Sequence, residues 1–419
     1  MTTEAHSGSI VPLLESARIL LGVTGSIAAY KAVELASSLT QAGADVDVLL
    51  SSSAARFVSP MTFRSVTGRR AYTDNDLWGQ DSHILHVELG RSADLLVVAP
   101  ATAHTIAKLA HGEADNLISL AALSCQAPIV IAPAMDGGMY QHPAVQANIE
   151  TLRERSVHIV GPARGRMASG LVGEGRLLEP AELMGHVRLA LGATGPLQSC
   201  RLVVTAGGTQ EAIDPVRSIT NRSSGKQGYA LAQAAIDRGA QVVLISGPTA
   251  LPTPVGVERV DVTSAEEMAN AVNTALQTAD GLLMAAAVAD FRPKHAVKSK
   301  VKKEDGVPNI DLERTTDILA EVGAQRSKTG RPAILVGFAA ETEDVEENAR
   351  SKLQEKGLDL VVANDISRPD AGFDVDSNKV TIFDADGGIQ ELPLLSKAEV
   401  AELVLERVED LLSATGLNS

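Results

Sequence analysis

The sequence predicts an α/β protein made of two Rossmann-like, doubly wound domains. Three observations carry that prediction. Short apolar runs without alternation recur along the chain, as parallel strands covered on both faces require. Stretches with helical spacing separate them, which is the order of a doubly wound sheet. The series then stops and restarts across a turn-rich break at 192–198. The domains are therefore placed at 15–190 and 198–415. With one domain per roughly 150 residues as a prior, a chain of 419 residues has room for both.

In the first half the predicted strands are 18–23, 44–50, 95–99 and 128–132. Helices are predicted at 27–41, 54–67, 105–110 and 116–125. In the second half the strands are 201–205, 241–245, 281–288, 333–338 and 358–363. Helices follow at 227–238, 264–278, 316–325, 345–356 and 397–412. The run 379–383, followed by Asp386, Gly387 and Gly388, reads as a late hairpin.

Composition excludes several function classes. Lys plus Arg is 37 against 52 for Asp plus Glu, a formal charge of −15. A chain this acidic repels nucleic-acid phosphates, and aromatics at 3% provide no base-stacking platform. Cys125 and Cys200 are the two cysteines. They cannot build a disulfide framework or a four-thiolate zinc site, which predicts a reduced, cytoplasmic location. The first residues carry no basic segment leading into an apolar run, so no signal peptide is expected. No apolar stretch approaches the ~20 residues of a membrane span.

Several motifs stand at strand ends, where ligands bind in open α/β sheets. Gly25 and Ser26 follow the first strand and open a helix, so the backbone there can approach a phosphate. A tight strand-to-helix turn would look the same. Ser51 follows the second strand, and a serine-rich helix cap is the competing reading. Pro100, Thr102 and Thr105 follow the third strand. Further on stand Met135, Asp136 and Tyr140, then Gly165, Ser169 and Gly170.

In the second half Gly207 and Gly208 follow a strand and can cradle phosphates. Asp214 and Arg217 form a turn before Asn221, and Ser223, Ser224, Gly225 and Lys226 open a helix. P-loop spacing is absent. Asp290 ends a predicted buried strand. The lysines at 294, 298, 300, 302 and 303 can close over a polyphosphate, although a lysine run is usually a solvated loop. Lys352 and Lys356 share one helical face at i, i+4 spacing.

Together the first-half motifs resemble the flavin-dependent cysteine decarboxylases, over about residues 18–180. The resemblance implies FMN held by Gly25, Ser26, Ser51, Phe57, Pro100, Thr102 and Thr105. It implies His86 as the base, with His83 as the fallback. FMN would oxidise the substrate thiol, carbon dioxide would leave, and reduced flavin would return the electrons. Two positions depart from the family. Asp136 stands where an Asn holds the substrate carboxylate, and Ser169 stands where a flap Cys donates a proton. An ionised Asp beside a carboxylate is repulsive, so Asp136 needs a raised pKa or another task.

The second half, about 200–412, resembles phosphopantothenate–cysteine ligase. The resemblance implies ligation of cysteine to 4′-phosphopantothenate through an acyl-cytidylate, with CTP as co-substrate and Mg²⁺ on the phosphates. It implies Asn221 as stabiliser of the acyl-cytidylate and Lys300 as the mobile-loop lysine. Asp290, Thr316, Asp317, Ile318, Phe338, Lys352 and Lys356 would hold CTP, with Gly207 and Gly208 at the phosphates. Arg217 and Lys226 would take phosphopantothenate or a phosphate. No metal ligands are assigned.

The two halves together imply a bifunctional coenzyme A biosynthesis enzyme that forms a homo-oligomer, a dodecamer in the family. One competing reading makes the first half a catalytically silent, FMN-binding or oligomerising module beside an active ligase. Another, an NAD-linked dehydrogenase, rests on the glycine turns alone.

Overall fold

A computed structural model of the protein describes residues 11–78, 84–168, 170–300, 309–341, 344–365 and 376–414. The chain divides into two compact units, Met1–Gly192 and Ala193–Ser419. Four residues singled out above, His83, Ser169, Lys302 and Lys303, lie outside the described residues.

In the first unit the strands are β1 (Arg18–Val23), β2 (Asp45–Leu50), β3 (Ala71–Thr73), β4 (Leu95–Ala101), β5 (Ile129–Pro133), β6 (His158–Ile159), β7 (Ala163–Arg166) and β8 (Val172–Arg176). The helices are α1 (Ala29–Gln41), α2 (Pro60–Thr67), α3 (Leu85–Ser92), α4 (Ala103–His111), α5 (Leu117–Ser124), α6 (Gly137–Tyr140), α7 (Pro143–Glu154) and α8 (Pro180–Gly192). The main sheet runs β3-β2-β1-β4-β5-β6, and its pairs are parallel throughout. That is the doubly wound order in which the chain reverses direction between β1 and β4.

Strand alternation sends successive side chains to opposite faces. Leu21, Val23, Val97 and Ala99 join one core with residues of α1 and α8. Leu20, Leu96 and Val98 join the other with residues of α4 and α5. Both faces are therefore apolar, which is why these strands show no alternation in sequence.

One prediction needs correction here. The helix expected at 54–67 is broken: a single 3₁₀ turn spans Ala54–Arg56, and α2 begins afresh at Pro60. Proline has no N–H to give an earlier turn and drives the residue before it out of the helical region. Ser59 is extended, and its hydroxyl accepts from Met61 N–H at 3.2 Å to cap the new start.

In the second unit the strands are β9 (Arg201–Ala206), β10 (Gln210–Ala212), β11 (Ser218–Thr220), β12 (Gln241–Ser246), β13 (Glu258–Asp261), β14 (Gly281–Met284), β15 (Phe291–Pro293), β16 (Leu312–Arg314), β17 (Ile334–Glu341), β18 (Leu360–Asp365), β19 (Ser377–Asp384) and β20 (Ile389–Ser396). The helices are α9 (Lys226–Asp237), α10 (Ala265–Ala275), α11 (Ile318–Thr329), α12 (Val345–Lys356) and α13 (Lys397–Ala414). The sheet runs β13-β12-β9-β14-β17-β18-β19-β20. Pairs from β13 to β18 are parallel, and β19 and β20 add an antiparallel hairpin. The parallel part repeats the order of the first unit, with its reversal between β9 and β14.

The strand expected at 281–288 stops at Met284, so Asp290 lies beyond the strand rather than at its end. The apolar run after Met284 turns across the tip of β9. Ala286 N–H donates to Thr205 Oγ1 at 3.1 Å, Ala287 N–H to the Gly207 carbonyl at 2.8 Å, and Ala289 N–H to Thr209 Oγ1 at 2.9 Å. Those bonds satisfy a partly covered backbone that has left the sheet.

Helix α13 lies on α9, where Arg238 Nη1 meets Glu402 Oε2 at 2.5 Å with both side chains mostly covered.

Candidate active sites

Each unit has its functional candidates at the strand ends beside the reversal of strand order. In the first unit the junction is tied by Thr24, a residue the sequence reading passed over. Its Oγ1 donates to the Pro100 carbonyl at 2.7 Å and accepts from Thr102 N–H at 3.0 Å. The side chain is buried, and its hydroxyl joins the tips of β1 and β4 together with the Thr24 N–H, which donates to the same Pro100 carbonyl at 3.3 Å. The only sequence signal is a threonine immediately after an apolar strand.

Around that tie the predicted flavin residues converge. A Cβ on Gly25 would lie 2.4 Å from Ser53 Cβ, so glycine is needed for the β1 and β2 tips to touch. Ser26 Oγ accepts from Ala28 N–H at 3.3 Å, and Ser51 Oγ accepts from Ala54 N–H at 3.1 Å. Each hydroxyl proton remains to be donated. Ser52, by contrast, is occupied by Asp74 at 2.6 Å. Thr102 caps α4 through Thr105 N–H at 3.3 Å, and the two threonine hydroxyls lie 3.2 Å apart. Phe57, closing the 3₁₀ turn after β2, is half exposed. Hydroxyl donors at three strand ends and one exposed ring fit a phosphate-bearing planar cofactor.

A cavity of 480 Å³ opens beside Ser26, Tyr30, Met135, Asp136, Arg166 and Arg176. Asp136 has a structural task there: Oδ1 caps α6 by accepting from Gly138 N–H at 3.0 Å. Asp and Asn serve equally well as caps, which explains how Asp is accommodated. His86 sits on α3, half-buried, and its carbonyl accepts from Ser124 Oγ at 2.8 Å. It does not line this cavity. Lys31, in the first turn of α1, is buried against Glu179 at 2.7 Å and the Leu177 carbonyl at 3.3 Å.

In the second unit two lobes form one cleft. The first, of 490 Å³, is walled by Asn221, Lys226, Lys352 and Asn364 among others. The second, of 480 Å³, is walled by Thr316, Asp317, Ile318 and Lys356. Asp290 and Phe338 stand in the wall common to both. The start of α9 lines one lobe and the start of α11 lines the other. Helix N-termini attract anions through unpaired N–H groups and the helix dipole. Four lysines, Lys226, Lys352, Lys356 and Lys397, add charge of the same sign.

The predicted nucleotide residues are thus brought together, except the glycines. Gly207 and Gly208 are not among the lining residues of either lobe. Gly207 has φ +77°, and a Cβ on Gly208 would lie 2.6 Å from the Asn221 carbonyl. They let two backbones approach. Arg217 lies outside both lobes, 3.4 Å from the fully covered Asp214 carboxylate. Lys300 is exposed and outside both lobes. Asn221 Nδ2 donates to the Val288 carbonyl at 2.9 Å, joining two walls of the cleft. Lys226 meets Asp376 at 2.6 Å. Among the described residues no cluster of three His, Cys, Asp or Glu side chains is placed to hold a metal. None of the described helices is long and apolar enough to cross a membrane.

Asp317 caps α11 through Ala320 N–H at 3.1 Å and meets Lys356 Nζ at 2.8 Å. Burial pushes its carboxyl up, but the bond to Lys356, the Ala320 N–H and the nearby Lys352 charge outweigh burial and hold it below the usual range. A depressed carboxyl contributes stability above its unfolded value, and that contribution is lost as pH falls through the folded one. Lys356→Ala is therefore expected to move the Asp317 titration upward, toward the unfolded value. Carboxylate NMR would check this, and an unmoved titration would remove Lys356 as the cause.

Residues 197–412 match the family described as DNA/pantothenate metabolism flavoprotein C-terminal domain, and residues 12–190 match the family described as Flavoprotein. The coenzyme A biosynthesis bifunctional protein CoaBC of Bacillus subtilis is 46% identical over 410 residues, covering 97% of this chain and 100% of that one. The protein of that name from Escherichia coli is 42% identical over 401 residues, covering 94% and 97%. A crystal structure of the C-terminal domain of such a protein is 45% identical, covers 52% of this chain and 99% of that one, and has a TM-score of 0.45. The chain belongs to the coenzyme A biosynthesis bifunctional family.

Proposed function

We propose, from that membership, that the chain carries out two successive steps of coenzyme A biosynthesis. The second unit ligates cysteine to 4′-phosphopantothenate through an acyl-cytidylate at the expense of CTP. The first unit then decarboxylates the product to 4′-phosphopantetheine with FMN. The observation that carries the ligation is the two-lobed cleft with a helix N-terminus in each lobe. Two anionic ends meet there, the phosphate of the acyl substrate by α9 and the triphosphate by α11 and Lys356. Asp290 and Phe338 stand between them, where acyl carboxylate and nucleotide would meet. Mg²⁺ would sit on the triphosphate rather than on a preformed cluster of side chains. Asn221 would steady the acyl-cytidylate, and Lys300 would reach the cleft only by a loop movement.

In the first unit Ser26, Ser51, Thr102 and Thr105 would hold FMN by their hydroxyls, with Gly25 and Pro100 allowing close backbone approach and Phe57 against the ring. Bound there, FMN supplies reversible two-electron oxidation of the cysteinyl thiol. His86 would take the thiol proton, and Ser169 would stand on the flap that closes the site. His86 lies outside the cavity of its own unit. A second subunit is therefore proposed to complete the site, in a homo-oligomer taken to be a dodecamer in the cytoplasm. Ile27 and Tyr30, 64% and 61% exposed, flank the cavity and are the apolar surface such a partner would cover.

Gly25→Val tests the flavin reading. The added side chain must displace Ser53, and overpacking of roughly 1–3 kcal/mol weakens FMN retention about tenfold or more. Purified variant with undiminished flavin absorbance would count against the site.

Asp136 favours a second reading, a silent first unit beside an active ligase. A split assay separates the two. Purified protein receives 4′-phosphopantothenate, cysteine, CTP and Mg²⁺, and pyrophosphate and carbon dioxide are followed separately. Both products in equal amounts are expected. Pyrophosphate without carbon dioxide, from flavin-loaded protein, selects the silent unit. No pyrophosphate overturns the ligation reading.

A further inference from the structure

A row of side-chain amides runs into the wall of the first lobe and has a fixed direction. Gln227 Nε2 donates to the Lys397 carbonyl at 3.1 Å. Asn378 Nδ2 donates to Gln227 Oε1 at 3.1 Å. Asn364 Nδ2 faces Asn378 Oδ1 at 3.4 Å. Asn364 Oδ1 ends the row, covered from water and with no hydrogen-bond partner among the described residues.

Amide orientation is ordinarily ambiguous and is assigned from the network. Here one end removes the ambiguity. A backbone carbonyl only accepts, so Gln227 must present its nitrogen to Lys397. That choice forces the next two amides in turn. Turning any one of them over would set oxygen against oxygen or nitrogen against nitrogen. The free atom at the cleft end is therefore an acceptor. A covered acceptor without a partner is costly, and native proteins rarely keep one without a use.

We propose that Asn364 Oδ1 receives an N–H or O–H of the acyl substrate and makes the ligation site selective for it. This assignment rests on the ligation reading above. Gln227, Asn364, Asn378 and Lys397 all line the lobe at the start of α9, and none lines the lobe at the start of α11. The first lobe is the one assigned to the phosphorylated acyl substrate, which carries one hydroxyl and one amide N–H. The long 3.4 Å bond and the soft terminal torsion of an Asn side chain let Oδ1 turn toward an incoming donor. Asn378 and Gln227 are positioning residues: they set which atom Asn364 presents.

The test uses the full chain and three ligands: 4′-phosphopantothenate, its analogue lacking the hydroxyl, and its analogue with the amide nitrogen methylated. Binding is measured by calorimetry, and pyrophosphate release is followed in parallel. Unmodified protein is expected to bind one analogue about tenfold more weakly than the parent, the worth of one hydrogen bond. In Asn364→Leu that preference collapses while CTP binding is unchanged. Asn378→Leu is expected to reduce the same preference, which keeps the test open if Asn364→Leu fails to fold. Equal binding of all three ligands to unmodified protein overturns the assignment while leaving ligation intact. A preference that survives in both variants also overturns it, as does a loss confined to CTP. Absence of pyrophosphate from unmodified protein overturns the ligation reading, and this assignment with it.

Discussion

Asn221→Ala is expected to slow pyrophosphate release by about 10²–10³-fold, the usual loss when one donor aimed at developing charge is removed. Asn221 stands on the segment leading into α9 and lines the first lobe. Its Nδ2 holds the Val288 carbonyl at 2.9 Å, so it also joins the two walls between which the acyl group would be activated. The predicted chemistry and the observed bond make different demands. A residue that only fastens Val288 would lower stability and leave the rate per folded molecule intact. One that also serves the reacting group would lower the rate in protein that melts normally. Single-turnover kinetics beside a thermal melt separates them, and a normal rate in folded variant removes Asn221 from the chemistry.

Gly228→Val is expected to destabilise the second unit by about 3 kcal/mol, from overpacking where no side chain can yield. Gly228 lies in the first turn of α9, against β9. A Cβ there would stand 2.5 Å from Ala206 Cβ and 2.7 Å from the Thr205 carbonyl. The obstructing atoms belong to the central strand, which is fixed by neighbours on both sides. For a unit of this size the loss lowers the melting midpoint by roughly 10 °C. Because α9 opens into the first lobe, its displacement removes ligation too. The melting transition of the first unit should be unaffected. A single unshifted transition in calorimetry would refute the close approach.

Much of this was legible in the sequence because burial writes itself into periodicity. β1 and α12 fall where apolar runs and helical spacing put them, residue for residue. The misreadings have local causes. The run after Met284 is as apolar as a strand, yet its N–H groups are taken by Thr205, Thr209 and Gly207. The β7–β8 hairpin is rich in Gly and Arg, with half of its residues exposed, so no pattern announces it. Gly207 and Gly208 also stand where backbones approach closely, a demand that no motif discloses. The residues from Thr316 to Lys356 proposed for the nucleotide were singled out by motif, and they line one cleft. The amide row was invisible because its members are spread from Gln227 to Lys397. No spacing rule links residues that only a sheet and its hairpin bring together.

The position of α13 bears on how the protein is made. The first unit has every strand of its main sheet by Ile159, so it can begin folding while the ribosome is still translating the second. The cleft proposed for ligation has no such head start. Its floor strands β9 and β14 emerge early, but one wall waits for Asn378, and the anchoring carbonyl waits for Lys397. Until α13 is synthesised, α9 lacks the helix that covers it and Arg238 lacks Glu402. A ribosome stalled within β20 would therefore carry a folded first unit tethered to an unfinished second one, with α9 exposed to chaperones.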